Sequence, residues 1–254
     1  MFPSKRTSMN ELTLNVIGCG DAFASGGRNH SCFFLKINRA GVLLDLGGTA
    51  FAGLKQHSVD QSQVDYIIIS HLHGDHYGGL PYFLLDAGVK KRSKPLTIVG
   101  PKGLREKTLA LLALLYPGTR VMEKMSIRFV SFEEPMPLSF PDFRLRAMPV
   151  IHSKATDPHG IRLETQQKVI AYSGDTEWTP ILLDLSENAD LFICECNFYQ
   201  SHIPGHLSYR VLQKHLPAIT ARRICLNHLG PDMLAHLQNV QMECLTDGQT
   251  IEIT

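Results

Sequence analysis

The chain of 254 residues is 44% hydrophobic and 19% charged, an ordinary globular composition with material for a sizeable core. Its formal net charge of +1 excludes a general polyanion-binding surface. No stretch approaches the roughly twenty consecutive apolar residues of a membrane-crossing helix, so no membrane partner is expected.

Residues 1–10 carry Lys5 and Arg6 without an apolar segment, so they read as a flexible leader and not as a signal peptide. Residues 11–254 show no linker or repeat and read as a single domain. The six cysteines have no C-x-x-C spacing and sit mainly in apolar runs, which predicts reduced, buried thiols and a cytoplasmic protein. Leu12–Ile17 alternates as a strand and ends in a glycine-rich loop, Gly18 to Gly27. A phosphate-binding turn fails there, because G-x-G-x-x-G is incomplete and no helix pattern follows. Cys32–Ile37 pairs with Gly41–Asp45 across Asn38-Arg39-Ala40, and a short helix follows near Phe51 to Gln56.

Val64–Ile69 is a β-branched and aromatic run that predicts a buried strand. It leads into Ser70-His71-Leu72-His73-Gly74-Asp75-His76, with a helix starting near Tyr82. His71, His73, Asp75 and His76 favour divalent metals, and in extended chain His71 and His73 point to the same side. The spacing places them on a loop leaving a strand. The basic run Lys90 to Lys94 could meet phosphates but reads as a solvated loop. Leu96–Pro101 predicts a strand, Lys102–Tyr116 a helix stopped by Pro117-Gly118, and Met125–Phe132 and Phe143–Met148 further strands. Arg162–Thr165 and Val169–Ser173 form a hairpin. Asp190–Glu195, Arg223–Asn227 and Gln249–Thr254 are strands, and Ser208–Leu216 and Pro231–Gln238 are helices. Strands mixed with helices in both halves imply sheets covered by helices.

Four more ionisable residues end strand-like runs beside loop chemistry: His152, Asp175, Glu195 and His228. Their shared context predicts side chains converging on one sheet edge. If Phe192 to Cys196 is a strand, Cys194 and Cys196 face away from Glu195 and are not ligands. His30, His57, His159, His202, His215 and His236 lack such a context, and Trp178 and Tyr199 read as core or pocket wall.

These residues resemble the metallo-β-lactamase superfamily, whose H-x-H-x-D-H signature is met by His71, His73, Asp75 and His76. The resemblance implies an α/β, four-layer αβ/βα sandwich with a two-metal site. It assigns one zinc to His71, His73 and His152 and a second to Asp75, His76 and His228, bridged by Asp175. Manganese or iron would suit the same donors. Within the superfamily the chain is similar to the ribonuclease Z-like phosphodiesterases, through Arg28-Asn29-His30-Ser31, Glu195-Cys196-Asn197-Phe198 and Gly205-His206-Leu207-Ser208. The short stretch between His152 and Asp175 leaves no room for the inserted arm with which such enzymes grip tRNA. His228 is followed by Leu229-Gly230-Pro231 where that family has a serine-proline-arginine run.

The resemblance implies a binuclear hydrolase of RNA or of a small or cyclic phosphodiester, and a homodimer. Asp75 would orient or deprotonate the attacking water, His206 would protonate the leaving oxygen, and Glu195 would orient His206. Arg28 would neutralise a phosphate oxygen. Two other readings use the same residues. One is hydrolysis of a thioester, lactone or β-lactam, and the other is a non-catalytic, metal-stabilised binding module.

Overall fold

The computed structural model describes residues 12–133 and 135–254, and the leader assigned to residues 1–10 lies outside the described residues. The first half of the chain supplies β1 (Thr13–Gly18), β2 (Cys32–Ile37), β3 (Ala40–Leu44), β4 (Tyr66–Ile68), β5 (Leu96–Gly100) and β6 (Ile127–Ser131). The second half supplies β7 (Leu138–Ser139), β8 (Arg144–Pro149), β9 (His159–Glu164), β10 (Val169–Tyr172), β11 (Leu191–Glu195), β12 (Ile224–Asn227) and β13 (Glu243–Cys244). The last strand, β14 (Thr250–Glu252), returns to β1. Four helices fall in the first half: α1 (Ala50–Gln56), α2 (Gly74–Tyr77), α3 (Leu80–Val89) and α4 (Leu104–Leu115). Three follow in the second: α5 (Ile181–Ser186), α6 (Tyr209–His215) and α7 (Pro231–Ala235).

Two seven-stranded sheets result, in the orders β14-β1-β2-β3-β4-β5-β6 and β13-β12-β11-β10-β9-β8-β7. Strands that are apolar at successive positions need cover on both faces. Phe33, Leu35, Val42 and Leu44 accordingly join Leu163, Ile170, Tyr172 and Ile193 between the sheets. Their neighbours Cys32, Phe34 and Leu43 turn outward onto Leu54, Leu80, Phe83 and Leu104 of the helices. On the far side Ala171, Phe192, Cys194 and Leu226 meet Leu182, Leu185, Leu212 and Met233. Helix, sheet, sheet, helix is the αβ/βα sandwich that the resemblance implies.

Within the sheets, β3 to β6 run parallel, as do β10 to β13. Antiparallel pairing of β8 with β9 and of β9 with β10 gives β8 the direction of β10. The carboxyl ends of β3, β4, β8, β10, β11 and β12 therefore bring Asp45, His71, His152, Asp175, Glu195 and His228 to the ligand-binding edge of an α/β sheet.

Several elements differ from expectation. The metal motif is not wholly a loop, because Gly74–Tyr77 winds into α2 with His73 as its N-cap residue. The strand expected from Val64 begins at Tyr66, since Gln61–Gln63 turn as a 3₁₀ segment. Elements as short as α5, β7 and β13 are too brief to show a period.

Phe33 is fully buried between the sheets, edge-on to Tyr172 at 5.5 Å between ring centroids. Replacing it with alanine removes a large side chain that neither sheet can collapse to fill. We expect Phe33→Ala to cost about 3–5 kcal/mol, read as a lower urea midpoint at unchanged slope. A loss below about 1 kcal/mol would mean that the inter-sheet layer is loosely packed.

Candidate metal centre

Three imidazole nitrogens converge at one end of the site. His71 Nε2 lies 3.1 Å and His152 Nε2 3.0 Å from His73 Nδ1. The tautomers follow from the opposite ring atoms. His152 Nδ1–H donates to the Gly205 carbonyl at 2.7 Å. Ser70 gives its one hydroxyl proton to Asp45 Oδ2 at 2.8 Å, so His71 Nδ1–H donates to Ser70 Oγ at 3.1 Å. Both Nε2 atoms thus present lone pairs to His73, whose single Nδ1 proton cannot serve two contacts. Burial lowers the pKa of all three imidazoles, with the charges of His76 and Asp175 and other neighbours as smaller influences. Neutral, converging imidazoles fit a divalent ion.

Next to them lies a charged cluster of Asp75, His76, Asp175 and His228. Burial opposes charge here, yet the carboxylates raise the proton affinity of His76 and His228, and these imidazoles hold Asp75 and Asp175 ionised. His76 Nε2 is 3.3 Å from Asp75 Oδ2 and 3.3 Å from Asp175 Oδ1. It lacks hydrogen-bond alignment to either, and His76 Nε2 and Asp175 Oδ1 are buried without a partner. A buried polar atom left without a partner calls for a bound ion or water, and these two face the same cluster. Asp175 Oδ2 faces both clusters, 3.3 Å from His228 Nε2 and 3.9 Å from both His71 and His152 Nε2. It lies between the two clusters.

Asp45 was not singled out in the sequence, and it organises the site. Its carboxylate is fully buried. It accepts the Ser70 N–H at 2.7 Å, the Ser70 hydroxyl at 2.8 Å, His76 Nδ1–H at 2.7 Å and the Tyr172 hydroxyl at 2.7 Å. Asp45 follows the apolar run Gly41-Val42-Leu43-Leu44 and precedes Gly47-Gly48, the same strand-end context as the four scattered residues. That signal could have found it. Asp45 and His228 both adopt left-handed backbone, with φ of 57° each. Such conformations persist only where surroundings enforce them, and they gather at functional sites.

A third group, Glu195 with His206, stands beside Asp175 and His228. Glu195 Oε2 accepts the backbone N–H groups of Thr176 and Leu207, each at 3.0 Å, and Oε1 receives His206 Nδ1. Burial opposes protonation of His206, but the bond and charge of Glu195 outweigh it and raise its pKa to about 9. Burial in turn raises the Glu195 carboxyl. The Asn197 amide group contacts His228 Nδ1 at 3.0 Å. Cys194 and Cys196 lie in the helix-covered core, as expected of strand neighbours of Glu195.

The cleft over these groups holds about 350 Å³. Its floor is His73, Asp75, Asp175, His206 and His228, and its lip is Ala22, Phe23, Phe198 and Ile203. Arg28 does not line it. The guanidinium is turned toward the Cys19 thiol and Gly26. The basic run is tied up within the fold: Lys90 pairs with Asp60 and Asp86, Lys94 with Asp65, and Arg92 with backbone carbonyls of Gln61, Val64, Lys94 and Pro95.

Residues 12–251 match the family described as "Anti-Pycsar protein Apyc1". Among curated relatives, the chain is similar to a ribonuclease Z of Clostridium acetobutylicum, 28% identical over 62% of this chain and 52% of that one. The chain spans about half the length of the curated relatives it matches. Among solved structures it is similar to the metallo-β-lactamase fold protein YhfI of Bacillus subtilis, with TM-score 0.80 and 23% identity, covering 96% of this chain and 100% of that one. It is also similar to the short form of human tRNase Z, with TM-score 0.78 and 21% identity, covering 95% and 99%. The fold is the metallo-β-lactamase fold.

Asn tolerates the left-handed backbone that Asp45 adopts, so Asp45→Asn keeps the shape while removing the charge that orients His76. We expect the variant to fold but to bind zinc about 10–100-fold more weakly in chelator competition. Wild-type affinity in that variant would contradict the role given to this carboxylate.

Proposed function

The chain belongs to the Apyc1 family, and we propose that it is a metal-dependent hydrolase that cleaves phosphodiesters at a two-metal site. The observation that carries this reading is His206, a proton-bearing imidazole aimed by Glu195 at the floor that the two ligand clusters share. A phosphate ester needs a proton for its departing alkoxide, whereas the thiolate that leaves a thioester needs none.

His71, His73 and His152 would hold one ion, and Asp75, His76 and His228 a second, with Asp175 between them. Zinc suits this mix of imidazole and carboxylate donors, and manganese or iron are accommodated by it. Ions bound there would polarise a phosphoryl oxygen and lower the pKa of a bound water to about 7. The chain's own part follows from its atoms. Asp75, held ionised beside His76 and His228, would orient the attacking water, whose proton the bound ions loosen. His206 gives its proton to the leaving oxygen, and Glu195, itself fixed by two amides, keeps the ring in line. The apolar lip would pack a flat group flanking the phosphate. Phe23 is 86% exposed there, a cost in water that a stacked base would offset. A nucleotide-sized phosphodiester or an RNA end fits the volume. Tyr82, Val89, Leu114 and Leu115 leave apolar surface on α3 and α4, which supports a homodimer.

The test is hydrolysis of bis(p-nitrophenyl) phosphate and of a dinucleotide with zinc or manganese supplied, beside a thioester and nitrocefin. We expect turnover of the phosphodiesters, lost on chelation. His206→Ala should cost about 10²–10⁴ in kcat for the dinucleotide and far less for the nitrophenyl ester, whose leaving group needs no proton. Phe23→Ala should raise KM for nucleotide substrates about tenfold at similar kcat. Turnover of the thioester or nitrocefin alone would overturn the phosphodiester reading. An Asp75→Ala variant that keeps its metal, fold and biological role would make the chain a binder.

A further inference from the structure

His206 sits at the end of a strap, Tyr199 to His206, that is held at two posts. At its start the Asp232 carboxylate accepts the N–H of Tyr199 at 3.0 Å and those of Gln200 and Ser201 at 3.4 Å. At its end the Glu177 carboxylate accepts the N–H of Gly205 at 3.3 Å. The other side of the same residue contacts the metal centre, because the Gly205 carbonyl takes the Nδ1 proton of His152. Gly205 has a φ of +85°, and a Cβ there would stand 2.9 Å from His152 Nδ1. Only glycine lets the strap come this close in this conformation.

Glu177 is well placed to be a fixed post. Its N–H donates to the Ile151 carbonyl at 2.9 Å, and its own carbonyl accepts the Thr176 hydroxyl at 2.7 Å. Thr176 accepts the Ile151 N–H at 3.1 Å and donates its own N–H to Glu195. The turn after Asp175 therefore touches the strand end that carries His152, the strap that carries His206 and the carboxylate that aims it. A single hydrogen bond, from the Gly205 N–H to the Glu177 carboxylate, closes this ring of contacts.

We propose that Glu177 is a positioning residue, which by holding the Gly205 amide sets at once the orientation of His152 and the place of His206. The half of this concerning His206 rests on the phosphodiesterase reading above, and the half concerning His152 does not. A general acid displaced by about 1 Å loses much of its effect, and a ligand whose far nitrogen loses its acceptor binds metal less well.

The full-length Glu177→Ala and Glu177→Gln variants test it by amide hydrogen exchange, zinc competition and turnover. Gln keeps a carbonyl oxygen to accept the Gly205 N–H, so it should behave as wild type. In Glu177→Ala, exchange at Gly205 should quicken and zinc affinity should fall about tenfold. The kcat for a dinucleotide should also fall about tenfold, while bis(p-nitrophenyl) phosphate loses less than about twofold. Wild-type exchange and zinc affinity in Glu177→Ala would overturn the proposal, as would a Gln variant as impaired as the Ala one. Should the wild-type protein hydrolyse neither ester, the phosphodiesterase reading fails and with it the His206 half. Exchange and zinc affinity then still decide the His152 half.

Discussion

The arrangement of this molecule turns on one buried carboxylate. Asp45 ends β3 in the first sheet and accepts the hydroxyl of Tyr172 from β10 in the second. It also takes Ser70 twice and His76 once. A charge with no access to water is tolerable only when donors replace its hydration, and four donors do so here. Those donors are not interchangeable. Through Ser70 the carboxylate fixes the tautomer of His71 in one cluster, and through its direct bond it fixes that of His76 in the other. One side chain thus locks the sheets together and aims a nitrogen into each half of the candidate centre.

That economy depends on sheet direction. Parallel strands deliver their carboxyl ends to one edge, and each end can place a polar residue there while the body of the strand stays apolar. Ile193 and Glu195, or Leu226 and His228, are separated by one residue, yet one belongs to the core and the other to the site. The same edge concentrates charge that the interior would reject elsewhere. Asp75 and Asp175 remain ionised although buried because two imidazoles face them. A pair of divalent ions would replace those protons among the same atoms, which is why the residue types fit metals better than they fit a structural ion-pair network.

Much of this was legible in the chain. His71, His73, Asp75 and His76 stand too densely for a solvated loop, and His152, Asp175, Glu195 and His228 each close an apolar run. The structure gathers all of them, and His206 joins them beside Glu195. Asp45 obeys the same rule, but an aspartate shortly before two glycines reads equally well as a hairpin break. Tyr172 could not be found, since a tyrosine inside an apolar strand announces core and not a hydroxyl with a task. The basic run is held more firmly than a solvated loop would be. Lys90, Arg92 and Lys94 look free in sequence, but nearby carboxylates and carbonyls claim them. Arg28 sits in a motif similar to a family segment, and its side chain lies beside Cys19 and Gly26. A motif fixes where a residue lies along the chain, and the packing of neighbouring loops decides where its long side chain points.

The division between sheet and loop has a functional consequence. Every proposed metal ligand hangs from a strand end, or from α2 immediately after one, where packing on both faces leaves little freedom. The groups that would meet the rest of the substrate, Phe23 and Ile203, stand on loops instead. These loops are not slack, because buried or half-buried carboxylates gather their amides. Asp21 accepts the N–H groups of Phe23 and Ser25, and Asp232 those of Tyr199 to Ser201. An acidic post holding a loop by its backbone leaves the side chains at the tip unconstrained by the hydrogen bonds that shape it. Substitutions at Phe23 or Ile203 can therefore reshape the lip of the cleft without disturbing the clusters on its floor. His206 is the exception that joins the two regimes, a loop residue tied by Glu195 to the sheet.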